Sequence, residues 1–326
     1  MFKNYIYGSI FADHIKAYIS ERRNAGFLFN NQAYWLHRFD RFCQEKQVNQ
    51  STLTKEIFEQ WACALDNETK CTQSNRLQAL RGFSVYLNTI GNVSYIPRVL
   101  TRPEKTIPYL MSDEDIQAFF EAADSYLPRV TTTEFHRLAV EYRVIFRLIY
   151  SCGLRISEAC NLRETSFDAD VGNITIIHSK GDKDRLVYLA DDMCHLLEGY
   201  TAWLKEDACC ISEWLFPGRD PSKHVHKTLI DRKFNDFWSA TKNATVCEKK
   251  PTVHCLRHAF VIRRMNRWMK DDTVDLNSMM PYLSSHLGHR GPIESFYYYH
   301  QIEEAFAVIR AKDTIAEKVI PEVMSV

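Results

Sequence analysis

Apolar residues recur every three or four positions along the first ninety residues, and polar residues separate these runs. This spacing places the apolar side chains on one face of an α-helix. We therefore predict four amphipathic helices that pack as a small bundle. Their apolar faces include Ile15, Tyr18 and Ile19; Leu36, Phe39 and Phe42; Leu53, Ile57, Trp61 and Leu65; and Leu77, Leu80, Phe83 and Leu87.

The pattern changes after Gly91, which suits the left-handed residue that ends a helix. Three prolines, Pro97, Pro103 and Pro108, then interrupt a basic stretch. Proline clusters are typical of extended linkers. We predict a helical domain at residues 1–95, a linker at residues 96–110 and a second domain at residues 111–326.

The second domain is also mainly helical. It opens at Ser112, whose side chain can cap a helix that starts with three carboxylates. A long apolar helix spans Leu138 to Tyr150 and ends near Gly153, and a shorter one carries Arg155 to Leu162. Further helices are predicted near residues 190–206, 228–241, 253–270, 278–288 and 292–299, with an amphipathic one from about Glu303.

One segment of the second domain has the period of a β-hairpin instead. Residues 173–178 and 185–189 are rich in β-branched and aliphatic residues, and Lys180-Gly181-Asp182 lies between them. Lys180 is therefore expected at the junction of strand and turn. The predicted fold is mainly α with a small β-sheet, as an N-terminal helical bundle followed by an α+β domain.

Composition fits a soluble protein of two domains, with 326 residues, 45% hydrophobic and 25% charged. No apolar run approaches the roughly 20 residues that span a bilayer, so we expect a cytoplasmic protein without a membrane partner. The ten cysteines are scattered and no secretory signal precedes them, which favours reduced, mostly buried thiols.

The formal net charge of zero argues mildly against a nucleic-acid partner. The charge is uneven, however, because residues 1–108 carry fourteen Lys and Arg against nine Asp and Glu. This excess of five is modest support for a basic N-terminal module.

Polar groups inside the apolar helices of the second domain suggest chemistry on a phosphate. Arg155 and Arg257 offer planar guanidinium groups that donate two parallel hydrogen bonds and stay charged. Glu158, one turn after Arg155, is placed to hold that guanidinium. His254 lies one turn before Arg257 and shares its face, whereas His258 falls on a neighbouring face.

Three further features complete this candidate set. His289 follows Gly288 at a predicted corner between helices. One of Tyr297, Tyr298 and Tyr299 is expected to reach the site as a nucleophile, which requires nearby cations and a proton acceptor. Lys180 can protonate a departing sugar oxygen as general acid. Lys183 and Arg185 are expected to touch backbone phosphates.

The ordered set resembles the tyrosine recombinase family, which includes the phage integrases and the Xer-type resolvases. Its motifs are matched by Gly153-Leu-Arg-Ile-Ser-Glu158, Ser179-Lys-Gly181, His254-Cys-Leu-Arg-His258, Leu287-Gly-His289 and Tyr298 with His300. The resemblance implies an N-terminal core-binding, SAM-like domain that binds DNA and a C-terminal catalytic domain. It also implies a mainly helical fold, cleavage and rejoining of DNA strands, and no cofactor, metal or ATP.

By this resemblance Arg155, His254, Arg257 and His289 bind the scissile phosphate, and Lys180 donates to the 5′ oxygen. Tyr298 fits the spacing to His289 and His300 better than its neighbours do, and its attack would leave a 3′-phosphotyrosyl link. The family further implies a double-stranded DNA recombination site and a homo-oligomer, a tetramer on paired sites.

Two other functions would use parts of this set. A metal-dependent nuclease would use His254, Cys255, His258, His286 and His289 as ligands, but the His-Glu-x-x-His motif and a carboxylate cluster are missing. A catalytically silent DNA-binding protein would share the fold. The chain also departs from the family pattern at Ser295 and in an apparent small insertion from Trp268 to Asn277.

Overall fold

The computed structural model describes residues 2–98, 108–177, 184–247, 249–271 and 273–289, with single positions 291, 294 and 298. Contacts between residues divide the chain into two compact units, residues 1–106 and 107–326. The amphipathic helix predicted from Glu303 and the one predicted at 292–299 fall outside this description or on isolated positions within it.

The first unit contains the four predicted helices. They are α1 (Ala12–Asn24), α2 (Asn30–Glu45), α3 (Lys55–Ala62) and α4 (Lys70–Thr89). Nearly all of the apolar residues that predicted them form one buried core, with Phe42 partly buried at its edge. Leu65 is the exception, because α3 ends before it and its side chain is exposed.

Local chemistry sets the ends of these helices. The side chains of Thr54 and Thr69 accept hydrogen bonds from the backbone amides of Ile57 and Thr72, in the first turns of α3 and α4, which a helix otherwise leaves without partners. Gly91 has a φ of +83°, and the amide of Asn92 donates to the carbonyl of Leu87. The predicted left-handed ending of α4 is thus confirmed.

The second unit is built on seven helices among the described residues. They are α5 (Asp113–Asp124), α6 (Thr133–Cys152), α7 (Ile156–Cys160), α8 (Asp191–Glu206), α9 (Lys227–Ser239), α10 (Val253–Lys270) and α11 (Leu276–Leu287). Ser112 caps α5 as predicted, and Asp115 completes the capping box.

A three-stranded antiparallel sheet interrupts the helices, in the order β1 (Phe167–Asp168), β2 (Asn173–Ile176) and β3 (Arg185–Tyr188). The predicted hairpin is confirmed by the pairing of β2 with β3, in which Ile174 faces Val187. β1 was not predicted, because two residues carry no recognisable period. Lys180 and Lys183 lie outside the described residues.

Two apolar clusters stabilise the second unit. The larger one surrounds α6 and includes the aromatic rings of Phe119, Phe146, Phe234 and Phe237. The smaller one joins α10 to α11 and takes in Tyr298 from beyond the end of α11. This smaller cluster fixes the position of the tyrosine against α10.

The segment after Arg267, the cysteines and the lengths of the helices bear on three other expectations. Within the apparent insertion from Trp268 to Asn277, α10 continues to Lys270 and Trp268 packs against the smaller cluster. All ten cysteines are free thiols and half of them are buried. Within the described ranges, no helix has the length and apolar character that crossing a bilayer requires.

Candidate active site

The end of α6 determines where Arg155 lies. Gly153 ends this helix with a φ of +62°, and a Cβ on it would approach a ring carbon of Phe260 to 2.5 Å. Only glycine meets both demands easily. The chain turns sharply there, and Arg155 becomes the residue that precedes α7.

Glu158 holds Arg155 as the sequence predicted. Its carboxylate accepts from Nη1 of Arg155 at 2.7 Å and from the backbone amide of Arg155 at 2.9 Å. Nη2 of Arg155 donates to the carbonyl oxygen of Gly288 at 3.1 Å. The Arg155 side chain remains 20% exposed, so solvent or a ligand can reach this guanidinium.

Arg185 was expected to touch DNA phosphates, and this expectation is wrong for the structure described here. Both of its terminal nitrogens donate to the Glu158 carboxylate, at 3.0 and 2.8 Å, and Nε donates to the carbonyl of His286 at 2.7 Å. The side chain is nearly buried. Arg185 therefore ties the first residue of β3 to α7 and α11.

The second predicted arginine reaches the same place from α10. Arg257 is 1% exposed and donates to the carbonyl oxygens of Gly153 and Leu287, each at 2.7 Å. Its Nη1 lies 3.9 Å from the Glu158 carboxylate. Burial, followed by repulsion from Arg155, lowers the Arg257 pKa to about 10, which still leaves the side chain charged at pH 7.

One carboxylate thus meets three guanidinium groups. Burial raises the pKa of Glu158, but hydrogen bonds from Arg185 and Arg155 outweigh it and lower the pKa to about 2. Glu158 is therefore ionised at any working pH. Three cations against one anion leave an excess of about two positive charges in a poorly solvated place.

Two predicted histidines lie beside this cluster. Nε2 of His289 is 3.2 Å from Nη2 of Arg257, and the His254 ring projects from α10 one turn before Arg257. Desolvation and then the charge of Arg257 lower both histidine pKa values to about 4, although solvent touches His254. Both rings are neutral at pH 7, so they can act as hydrogen-bonding groups without adding positive charge.

His258 is the group that sequence reasoning left out of the site. Its Nδ1 lies 2.9 Å from the hydroxyl oxygen of Tyr298, with ring centroids 5.4 Å apart. The Tyr298 ring is 4% exposed within the smaller apolar cluster. Spacing along α10 gives the face of His258, but the partner on that face depends on how the segment after α11 folds back.

The structure brings together Arg155, Arg257, His254 and His289, with Glu158 and Arg185 added, and it seats Tyr298 next to them on His258. Lys180, Tyr297 and Tyr299 fall outside the described residues.

The geometry of the described residues does not favour the metal-dependent nuclease. Cys255 accepts from the amide of Thr252, and His286 bonds to the carbonyl of Cys152. Over the described part of the chain, no group of three or more His, Cys, Asp or Glu is placed to hold a metal ion.

Comparison with known families gives a match that covers more than half of the chain. Residues 110–283 match the model of the phage integrase family. A tyrosine recombinase XerD from Rhizobium meliloti is 31% identical over 192 residues, which are 58% of this chain and 60% of that protein.

Solved structures share the fold. The XerH site-specific recombinase, in its post-cleavage complex with the palindromic difH substrate, matches with a TM-score of 0.64 and 20% identity over 93% of this chain and 84% of that chain. The Tn1549 transposon integrase in complex with transposon right end DNA matches with a TM-score of 0.64 and 14% identity, over 94% and 99% of the two chains. With the family match, these findings establish that the chain belongs to the phage integrase family and is a tyrosine recombinase, an enzyme of site-specific DNA strand transfer.

Proposed function

We propose that this recombinase cleaves DNA by attack of the Tyr298 hydroxyl on a phosphodiester held by Arg155, His254, Arg257 and His289. The observation that carries the proposal is the convergence of Arg155 and Arg257 on Glu158 from segments a hundred residues apart. Buried like charges repel, so bringing two guanidinium groups together does not by itself stabilise the fold.

The reacting phosphate acquires extra negative charge on its nonbridging oxygens, and fixed positive charge lowers the energy of that state. The partly exposed guanidinium of Arg155 can contact the phosphate directly, whereas the buried guanidinium of Arg257 adds positive charge next to it. His254 and His289, neutral at pH 7, supply hydrogen bonds without adding repulsion. Lys180 is proposed as the general acid for the 5′ oxygen.

Attack by Tyr298 forms a 3′-phosphotyrosyl link and releases a 5′ hydroxyl. The link retains the bond energy of the phosphodiester, so a second 5′ hydroxyl can reverse the reaction and reseal the strand. Neither ATP nor a metal ion enters this scheme.

The proposed partner is a double-stranded DNA site with inverted symmetry, bound by more than one copy of the chain. Symmetric copies of a protein match a palindromic site. The XerH complex, whose substrate is palindromic, supports this choice. We propose a tetramer on paired sites, which mass photometry of the protein mixed with its site would detect as four copies bound to two duplexes.

The proposal is tested by covalent capture. Sheared genomic DNA from the source organism is incubated with the protein in excess chelator, and DNA that stays attached through detergent and heat is recovered. We expect the native chain to retain a discrete set of fragments, whose sequences define the site, and Tyr298→Phe to retain none while binding that site with similar affinity.

Retention by Tyr298→Phe equal to that of the native chain would contradict the proposed nucleophile. DNA binding without any covalent product would favour the silent DNA-binding alternative. Loss of cleavage on adding chelator alone would favour a metal-dependent nuclease.

A further inference from the structure

The environment of the Tyr298 hydroxyl raises a question of proton transfer. A tyrosine in water has a pKa near 10, so only about one in a thousand is ionised at pH 7. The Tyr298 ring is almost fully buried. An attacking phenolate therefore needs a group that takes its proton as the bond to phosphorus forms.

We propose that His258 is this group, a catalytic base that accepts the Tyr298 proton on Nδ1. The ring nitrogen lies 2.9 Å from the hydroxyl oxygen, which is within the distance for direct transfer. The proposal rests on the proposed function, since it assigns a partner to the proposed nucleophile.

The helix that carries His258 fixes this geometry. His258 follows Arg257 on α10, and the buried Leu256 and Phe260 on either side hold that turn of the helix in the apolar interior. Tyr298 belongs to the same apolar cluster as Phe260 and Val261 of this helix. The helix thus holds His258 and the cluster on the helix holds Tyr298, as a preorganised site requires.

The charges around His258 keep it available as a base. The groups that face it are His254 and Arg257 from its own helix and Tyr298 from the segment after α11. Desolvation, then repulsion from His254 and Arg257, lowers its pKa to about 4, so the ring is neutral and has one free lone pair at pH 7. Arg257, which also interacts electrostatically with Tyr298, stabilises the phenolate as it develops.

The protons and bonds of the step balance. The bond from Tyr298 oxygen to phosphorus forms, the bond from phosphorus to the 5′ oxygen breaks, and the Tyr298 proton moves to Nδ1 of His258. The 5′ oxygen takes a separate proton from the general acid, proposed as Lys180. In resealing, the protonated His258 returns its proton to Tyr298 as the phosphotyrosyl bond breaks.

The experiment measures the rate of covalent adduct formation on a nicked duplex that carries the captured site, for the native chain, His258→Asn and His195→Asn. Asparagine places a hydrogen-bonding oxygen near the position of Nδ1 but cannot hold a proton at neutral pH. His195 is exposed on α8 and serves as the matched control. Thermal unfolding and DNA affinity are measured in parallel, so that a folding defect is recognised.

We expect His258→Asn to slow adduct formation roughly 100-fold or more at pH 7, which is the usual size of a lost general base. Its rate should rise with pH toward 9, because Tyr298 must then ionise unaided, whereas the native rate should be flat above about pH 5. His195→Asn should match the native chain.

A second substrate locates the defect on the nucleophile side. Sulfur in place of the bridging 5′ oxygen leaves without a proton, so it should restore Lys180→Ala but leave His258→Asn slow. Rescue of His258→Asn by sulfur would overturn the proposal, as would a rate within threefold of native. Faster cleavage would show instead that His258 restrains the tyrosine. None of these results affects the proposed nucleophile, which Tyr298→Phe tests separately.

Discussion

At the scale of single residues, Glu158 organises the site. It is the one described carboxylate that meets Arg155, Arg185 and Arg257 together. Without its charge, the three guanidinium groups would repel each other in a place where water cannot screen them. Its role is therefore to position the cations, and the phosphate completes the charge balance when DNA binds.

Replacing Glu158 by glutamine keeps the shape and removes the charge. We expect Glu158→Gln to lower the free energy of unfolding by roughly 3 kcal/mol, the usual cost of breaking a buried ion pair. Adduct formation on the captured site should fall more than tenfold, since Arg155 loses its support. Urea unfolding and single-turnover cleavage measure the two effects.

The matched control is Glu164→Gln. Glu164 pairs with Lys205 on the surface, where both side chains are largely exposed and an ion pair contributes at most about 1 kcal/mol. Equal losses of stability and rate in the two variants would contradict a special role for Glu158.

Sequence reasoning identified part of this set and missed part of it. The pairing of Arg155 with Glu158 was predictable, because residues three apart at the start of a helix face each other. Arg185 and His258 were not assigned their partners. Arg185 reaches Glu158 across 27 positions of the chain and His258 reaches Tyr298 across 40, distances over which no local period operates.

At the scale of elements, the ends of α6 and α11 build the site. Both end in a left-handed glycine, Gly153 with a φ of +62° and Gly288 with a φ of +64°. The carbonyls freed at these ends accept from the arginines: Gly153 and Leu287 from Arg257, and Gly288 from Arg155. Helix C-termini attract cations for this reason.

Adding one methyl group at the end of α11 tests this arrangement. A Cβ on Gly288 would lie 2.9 Å from Nη1 of Arg185 and 3.4 Å from Nη1 of Arg155, and the left-handed backbone costs an alanine about 1 kcal/mol. We expect Gly288→Ala to lower both stability and the rate of adduct formation.

Gly199→Ala is the control for this variant, and we expect it to change stability in the opposite direction. Gly199 lies within α8 with no atom near the added methyl, and alanine there should raise stability by about 0.5–1 kcal/mol without affecting cleavage. A stable and fully active Gly288→Ala would contradict the proposed packing of the arginines against the end of α11.

Most elements were predictable from the period of apolar residues, because each helix buries one face. The four helices of the first unit and the β2–β3 hairpin followed directly from that period. The end of α3 did not, because Leu65 continues the apolar spacing of this helix but lies past its last residue, Ala62.

At the scale of the whole molecule, the neutral histidines of the site make the stability of the fold depend on pH. His254, His258 and His289 have pKa values lowered to about 4, against 6.5 for a histidine in the unfolded chain. Between these pH values the unfolded chain binds more protons than the folded one. Stability is therefore lost as pH falls from about 6.5 toward 4.

We expect the free energy of unfolding to fall by about 1–2 kcal/mol per pH unit between pH 6.5 and 5, allowing for solvent screening at the exposed His254. Urea unfolding at several pH values measures this slope, and His258→Asn should reduce it. Glu158 affects stability at a lower pH, because its folded pKa is lowered to about 2. The stability that its charge contributes above its unfolded pKa is lost only as pH falls toward 2. Stability that is constant from pH 6.5 to 5 would contradict the lowered pKa values of the three histidines.

The central claim is that cations from distant segments serve one tyrosine, Tyr298. The most direct measurement digests the covalent complex with nuclease and protease and identifies, by mass spectrometry, the residue that carries the remaining nucleotide. The account predicts a nucleotide on Tyr298, joined through its 3′ phosphate. A nucleotide on Tyr297 or Tyr299, or on any residue remote from Arg155 and Arg257, would contradict it.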